Sequence, residues 1–348
     1  MERRSFLKHT LQTVLLLGAG ALSWKAAVAK APSSATTVQR IAFGSCANQN
    51  SPQPVWDVIL KAKPDLFLFI GDNIYADTED MGEMQRKDKQ LGGKPEFANF
   101  RSNVPVLATW DDHDYGINDG GIEYPKKEQS KKLLLDFFGE PADSLRRQRP
   151  GIFTSYYFGA PGKRLQVILL DLRWFRTPLN VDPKSHDYLP VTAADAELVG
   201  SEQWKWLENE LKQPADLRLI ASSIQFCSPE HPWEKWSNYP KDKARILALF
   251  DELKIKNAFF ISGDMHYGEL SAEKTPAGFE VFDVTSSGMN FVESGSQFKN
   301  RNRISLFDKT PNFGFIEIDW AKKPVSVSLQ VRSSLGAIPI RHDTTFAN

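Results

Sequence analysis

The chain has 348 residues, 41% of them hydrophobic, and its 43 Lys and Arg balance 43 Asp and Glu to a formal net charge of zero. This length suits one large domain or two ordinary ones. With this charge balance nothing points to nucleic acid or an anionic membrane surface as the main partner.

The amino terminus carries Arg3-Arg4, an apolar run from Leu11 to Leu22 and the small-residue string Ala27-Val28-Ala29. Together they have the layout of an export signal: charged region, short apolar region, cleavage site. Arg3-Arg4-Ser5-Phe6-Leu7-Lys8 resembles the twin-arginine signal of bacterial export, departing at Glu2. The expectation is a signal over 1–29, cleavage after Ala29, and a periplasmic or extracellular mature protein delivered by the twin-arginine machinery. Gly18 and Gly20 make the apolar run a poor membrane span, although a retained anchor is the alternative. Residues 30–37 read as a flexible linker, and 38–348 as the folded domain.

Val38 to Ser45 alternates as a strand and ends in Gly44-Ser45-Cys46. Pro52 to Ala62 reads as a helix with Val55, Ile59 and Ala62 on one face. Asp65 to Ile70 is an apolar run between Pro64 and Gly71, the pattern of a strand covered on both faces. It leads into Gly71-Asp72-Asn73-Ile74-Tyr75. Thr78 to Phe100, polar and holding Gly92-Gly93, reads as loop or irregular helix. Val104 to Trp110 is a third apolar run, followed by Asp111-Asp112-His113-Asp114, and Lys126 to Phe138 is a helix.

Ile152 to Phe158 and Leu165 to Leu170 read as neighbouring strands, the second followed by Asp171 and Arg173. Thr177 to Gly200 lacks a period and covers one end of a sheet. Gln203 to Leu211 is helical, Leu217 to Phe226 a strand, Asp242 to Leu253 a helix, and Ala258 to Ile261 a buried strand ending in Ser262-Gly263-Asp264-Met265-His266. The tail from Phe279 to Val331 reads as several strands. Strands alternating with helices, then a strand-rich tail, predict one α/β domain with two sheets.

Several strands therefore end in groups that bind cations. Open α/β sheets gather ligands at their carboxyl edge, and carboxylates crowded there need compensation by positive charge. Thiolate and phenolate donors suit iron, while carboxylates suit a harder divalent ion. Asp72, with two oxygens, is the natural bridge of a pair about 3.5–4 Å apart, the template for in-line displacement at phosphorus. Each group also has a plain role, as a turn, a cap or a core residue. The two cysteines leave a disulfide open as well.

Phe43-Gly44-Ser45-Cys46, Gly71-Asp72-Asn73-Ile74-Tyr75-Ala76-Asp77, Trp110-Asp111-Asp112-His113-Asp114 and Ser262-Gly263-Asp264-Met265-His266 recur in one order. In these strings the chain resembles the alkaline phosphatase D (PhoD-like) family of calcineurin-like metallophosphoesterases. The resemblance implies an αββα sandwich of two mixed sheets flanked by helices. It implies Cys46, Asp72, Tyr75 and His266 on one metal, ferric iron, and Asp72, Asp112 and Asp264 on a second, calcium. The histidine that purple acid phosphatases carry between the last two motifs is missing, and Gln225 is the residue offered in its place. His113 takes the position of a histidine that contacts substrate or protonates a leaving group, or else bonds Asp114 and orders the loop. Cys46 as a ligand leaves Cys227 free.

Arg173 and Arg176 could reach phosphate oxygens with a planar fork, or pair with loop carboxylates. Trp233, Trp236 and Tyr239 either line the cleft or pack their loop, and nothing in the sequence fixes His186 or His231 at the rim. The implied activity is hydrolysis of phosphate monoesters, diesters or both by a metal-activated hydroxide at a dinuclear or multinuclear site. The alternatives are a phosphodiesterase restricted to lipid or cell-wall polymers, and a non-catalytic metal-binding scaffold.

Overall fold

The computed structural model describes residues 33–347. The expected export signal lies outside these residues. Of the expected linker, 33–37 are described, and the Ser34 carbonyl accepts the Gly159 N–H at 2.9 Å. In chain order the elements are β1 (Arg40–Gly44), α1 (Val55–Lys61), β2 (Leu66–Ile70), α2 (Met81–Gly92), α3 (Pro95–Asn103), β3 (Val106–Thr109), α4 (Asp112–Tyr115), α5 (Lys127–Phe137) and α6 (Leu145–Gln148). There follow β4 (Thr154–Phe158), β5 (Leu165–Leu169), a short hairpin of β6 (Asn180–Val181) and β7 (Tyr188–Leu189), α7 (Ser201–Leu211), β8 (Leu217–Ala221) and α8 (Pro240–Glu252). The remainder is strand: β9 (Ala258–Ser262), β10 (Gly268–Lys274), β11 (Glu280–Ser286), β12 (Arg303–Phe307), β13 (Asn312–Asp319), β14 (Val325–Ser333) and β15 (Ile340–Phe346).

Two mixed sheets stack face to face. One runs β15-β14-β13-β1-β2-β3 and the other β12-β10-β11-β9-β8-β5-β4. The cores are parallel, β1-β2-β3 in the first and β5-β8-β9-β11 in the second, with antiparallel strands outside them. Strand alternation sorts the apolar residues into layers. Leu66, Leu68 and Ile70 of β2 meet Leu219, Phe259 and Ile261 of the other sheet. Phe67 and Phe69 point the other way, under Trp56 of α1 and Phe97 and Phe100 of α3. On the far side, Ile220 and Phe260 pack beneath Trp204 and Leu207 of α7 and Ile246 and Phe250 of α8. The result is a helix–sheet–sheet–helix sandwich.

One sequence expectation is resolved and one needs correction. Of loop and irregular helix, Thr78 to Phe100 forms helix: α2 begins at Asp80, whose carboxylate caps the Gly82 and Glu83 N–H groups, and α3 begins with Pro95 in its first turn. Buried Met84, Leu91, Phe97 and Phe100 supply the apolar contacts that override the polar composition. The strand expected through Phe226 stops at Ala221, after which the chain leaves the sheet.

Two facts place the site. Parallel strands of both sheets end on the same edge, and there an isolated parallel bridge between Ser45 and Ser287 joins the end of β1 to the end of β11.

Candidate metal centre

The turn after each of three strands is forced into a conformation that ordinary residues avoid. Cys46, Asp72, Asp264 and His266 have φ of 59°, 48°, 69° and 57°. Left-handed backbone costs a non-glycine residue about 1–3 kcal/mol, and such strain concentrates where a site over-determines it. Gly71 precedes Asp72 at φ 118°, where a Cβ would stand 2.5 Å from the Asp111 Cβ. Only glycine lets the β2 and β3 ends approach this closely.

Asp114 ties those two ends together. Its carboxylate accepts the N–H groups of Asp111 at 2.7 Å, Asp72 at 3.2 Å and Asn73 at 3.3 Å, and also the Asn73 side-chain amide. The alternative that Asp114 pairs with His113 is not what forms. His113 Nδ1 instead lies 2.7 Å from Asp77 Oδ1, while its ring packs on Tyr75 at 4.3 Å between centroids.

The six expected ligand residues share the strand-end edge. Cys46 Sγ is 3.2 Å from Asp72 Oδ2, and Tyr75 Oη is 3.0 Å from His266 Nε2. Donor atoms of Cys46, Asp72 and His266 lie within 4.8 Å of one another, as do those of Asp72, Asp112 and His113, and those of Asp72, Asp111 and Asp264. Asp72 belongs to all three sets. Asp111 thus joins Asp264, while Asp112 joins His113 and, in a further set, Asp119 and Glu234. Sequence reading left Asp111 unassigned within the Trp110-Asp111-Asp112-His113-Asp114 string, and missed Asp119 and Glu234, which nothing local marks. Ser223, not Gln225, reaches this cluster, its hydroxyl donating to Asp111 Oδ1 at 2.7 Å. Gln225 donates to Glu269 and Thr285 within the second sheet.

Electrostatics argue that the edge is built for cations. Burial, then the charges of Cys46 and Asp112, push the Asp72 carboxyl well above the usual range. Burial and neighbouring Asp111 and Asp112 do the same to Asp264, and burial raises the Cys46 thiol to about 11. Burial also opposes ionisation of Asp112, but Arg173 and His113 outweigh it and hold this carboxyl at about 2. Asp72 Oδ1 is buried and has no hydrogen-bond partner, which is costly for a carboxylate oxygen. A thiol, a phenol, an imidazole and several carboxylates around that oxygen fit metal ions.

The two arginines turn inward. Arg173 is fully buried and pairs with Asp111 and Glu234, while Arg176 Nε sits 3.1 Å from Glu234 Oε1. The Arg173 fork is filled by carboxylates, and that of Arg176 by Glu234 and the Thr177 and Asp119 carbonyls, so neither is an open phosphate fork. Trp236 and Tyr239 are core residues; Trp233 is 46% exposed, against Phe298. His186 is exposed and His231 buried. Cys46 and Cys227 are both free and buried.

A sandwich of two mixed sheets with metal-ligand types gathered at its strand ends defines a calcineurin-like fold. The PhoD-like phosphatase family model matches residues 140–329, and the chain belongs to this family. That span includes Asp264 and His266, whereas Cys46, Asp72, Tyr75, Asp112 and His113 precede it. Alkaline phosphatase D of Bacillus subtilis (strain 168) is 21% identical over 345 residues, covering 82% of this chain and 56% of that protein. The chain therefore spans about half the length of this curated relative.

Among solved structures, PhoD superimposes with a TM-score of 0.67 at 16% identity, over 90% of this chain and 70% of that one. A dimetal phosphatase from Danio rerio gives 0.55 at 13% identity, over 90% and 100%. GAP50, described as the anchor in the inner membrane complex of Plasmodium, gives 0.57 at 12% identity, over 90% of each chain. At these identities the likeness is one of fold.

Proposed function

We propose that the chain is an exported, metal-dependent phosphoester hydrolase acting on monoesters, diesters or both. The carrying observation is that Asp72, in strained backbone and with one oxygen unpartnered, belongs to three donor sets at once. Family membership and the dimetal phosphatase among its fold neighbours support the same reading. On it, Cys46, Asp72, Tyr75 and His266 would hold one ion, ferric iron, and Asp72 with Asp112 and Asp264 a second, calcium, with Asp111 beside them. Bound ions there would supply Lewis-acid polarisation of a phosphoryl oxygen and acidify the attacking water.

The chain's own groups do the rest. Asp77 accepts the Nδ1 proton of His113 and leaves Nε2 to face the phosphoryl site. Burial opposes charge on this imidazole, but Asp77, Asp112 and Asp72 together raise its pKa to about 11. Held by Asp77, His113 is placed to donate to the leaving oxygen. Asp114 holds Asp72 and Asp111 in register while Arg173 compensates Asp111 and Asp112.

Export through a twin-arginine signal to the periplasm or beyond belongs to this proposal. Among the described residues no helix is long and apolar enough to cross a membrane. A second reading, a non-catalytic scaffold, draws on the same fold in a chain described as an anchor. Asp72→Asn separates the two: on the enzymatic reading it abolishes phosphoester hydrolysis and stoichiometric metal in native protein. Bound metal in the wild type without turnover of any aryl mono- or diester would favour the scaffold.

A further inference from the structure

The segment from Ser287 to Glu293, which follows β11, wraps around His266. The Ser287 hydroxyl accepts the His266 N–H at 2.8 Å, and the Glu293 N–H donates to the His266 carbonyl at 2.9 Å. Phe291 packs on the imidazole at 4.2 Å between ring centroids, and Glu293 Oε1 lies 3.5 Å from Nδ1. The other ring nitrogen, Nε2, is 3.0 Å from Tyr75 Oη. Gly288 permits the wrap. At its φ of 90°, a Cβ would stand 2.3 Å from the Phe291 carbonyl oxygen and 3.0 Å from that of His266, an approach open to glycine alone.

The segment is also fastened to the loop after β1. The Asn290 side chain accepts the Asn48 N–H at 2.9 Å and donates to the Asn48 carbonyl at 2.8 Å, and Asn48 lies two residues beyond Cys46. The contacts on His266 therefore divide by what they fix. The backbone bonds and Phe291 set where the ring sits. Glu293 sets which nitrogen it offers: a carboxylate beside Nδ1 takes the proton there and leaves the Nε2 lone pair directed at Tyr75 and the donor set. The Glu293 side chain is 58% exposed, and an ion pair this open to water adds little to folding. Its carboxylate thus has more to do for the imidazole than for the fold.

We propose that Glu293 is a positioning residue of the metal centre: it orients His266, fixes its tautomer and makes Nε2 a stronger donor to a bound cation. The inference rests on the reading of His266 as a ligand; it does not depend on which ion is held or on which phosphoester is hydrolysed.

Native protein equilibrated with rising EDTA, its remaining metals counted by element, tests this. His266→Ala identifies the ion concerned, as the element that this variant depletes. Glu293→Ala should release that element at about tenfold lower EDTA than the wild type, the lower end of the loss usual when the partner of a ligating histidine is removed. Glu293→Gln keeps an acceptor for the Nδ1 proton and should fall between the two; it serves as the probe if the alanine variant does not fold. Urea unfolding in excess EDTA should be the same for the wild type and both Glu293 variants, because the exposed pair adds little to the metal-free fold. The proposal is overturned if the Glu293 variants hold the element as tightly as the wild type. It is also overturned if they lose as much stability in excess EDTA as they lose in metal binding, which would make Glu293 a structural residue of the segment. Depletion by His266→Ala with no effect at Glu293 sinks the positioning role alone. No depletion by His266→Ala sinks the ligand reading, and the positioning role with it.

Discussion

The Asp77 carboxylate lies 2.7 and 2.9 Å from His113 Nδ1 through its two oxygens, and so fixes both the tautomer and the tilt of the ring. Asp77→Asn keeps a hydrogen-bond acceptor but removes the charge that helps raise the His113 pKa. The variant should lose kcat on the order of tenfold to hundredfold with less change in KM. The alkaline limb of its kcat–pH profile should move to lower pH, because the imidazole now surrenders its proton earlier. An unshifted limb would remove His113 from the proton transfer.

Asp114 gathers backbone donors from two strand ends. Asp114→Ala leaves buried N–H groups of Asp72, Asn73 and Asp111 without this acceptor, at about 1–3 kcal/mol for each group left unpaired. Urea unfolding should show a loss on the order of 3 kcal/mol. Elemental analysis of the folded fraction should show less bound metal, since Asp72 is no longer held. Wild-type stability with unchanged metal content would contradict this role.

Glu234 serves both buried arginines. Glu234→Ala leaves the positive charges of Arg173 and Arg176 poorly compensated, and breaking such a buried pair costs about 3–5 kcal/mol. The expected result is a loss of that size in the unfolding free energy measured by urea titration. Glu234→Gln, which still accepts hydrogen bonds, should lose less. If the arginines instead faced solvent and substrate, both variants would unfold like the wild type.

Asp283 gives a pH signature away from the centre. It accepts the Phe226 and Cys227 N–H groups and the Ser262 hydroxyl, and burial raises it from 3.8 to about 6. Between those values the folded state keeps a proton that the unfolded state has released, so stability falls as pH rises through the window. The drop amounts to about 3 kcal/mol. Asp283→Asn cannot titrate, so the wild type's advantage over it should be greater near pH 4 than near pH 7. A constant difference across that range would mean that Asp283 is not perturbed.

Much of the fold could be read from the chain because β2 is apolar at every position and flanked by Pro64 and Gly71, a pattern few other structures produce. The ligand strings were legible for a related reason: each sits immediately after a strand, where local order fixes its place. The helices α2 and α3 were obscured by Gly92-Gly93 and a polar surface, although Asp80 and Pro95 were start signals in plain view. The partners of Arg173, and the choice of Asp77 over Asp114 by His113, depend on segments brought together only by folding. No spacing announces such pairs.

The bridge between Ser45 and Ser287 is a seam, and the candidate ligands are stitched across it. Cys46 and Asp72 follow strands of one sheet, Asp264 and His266 a strand of the other. Neither sheet alone can form the chelate, so cation affinity and sheet docking are one linked equilibrium. Ions held at this edge would act as a clasp between the two sheets. Stripping them should open the molecule from this edge inward, with amide exchange rising first at Cys46, Ser287 and Met289 while the helix-covered outer layers stay protected.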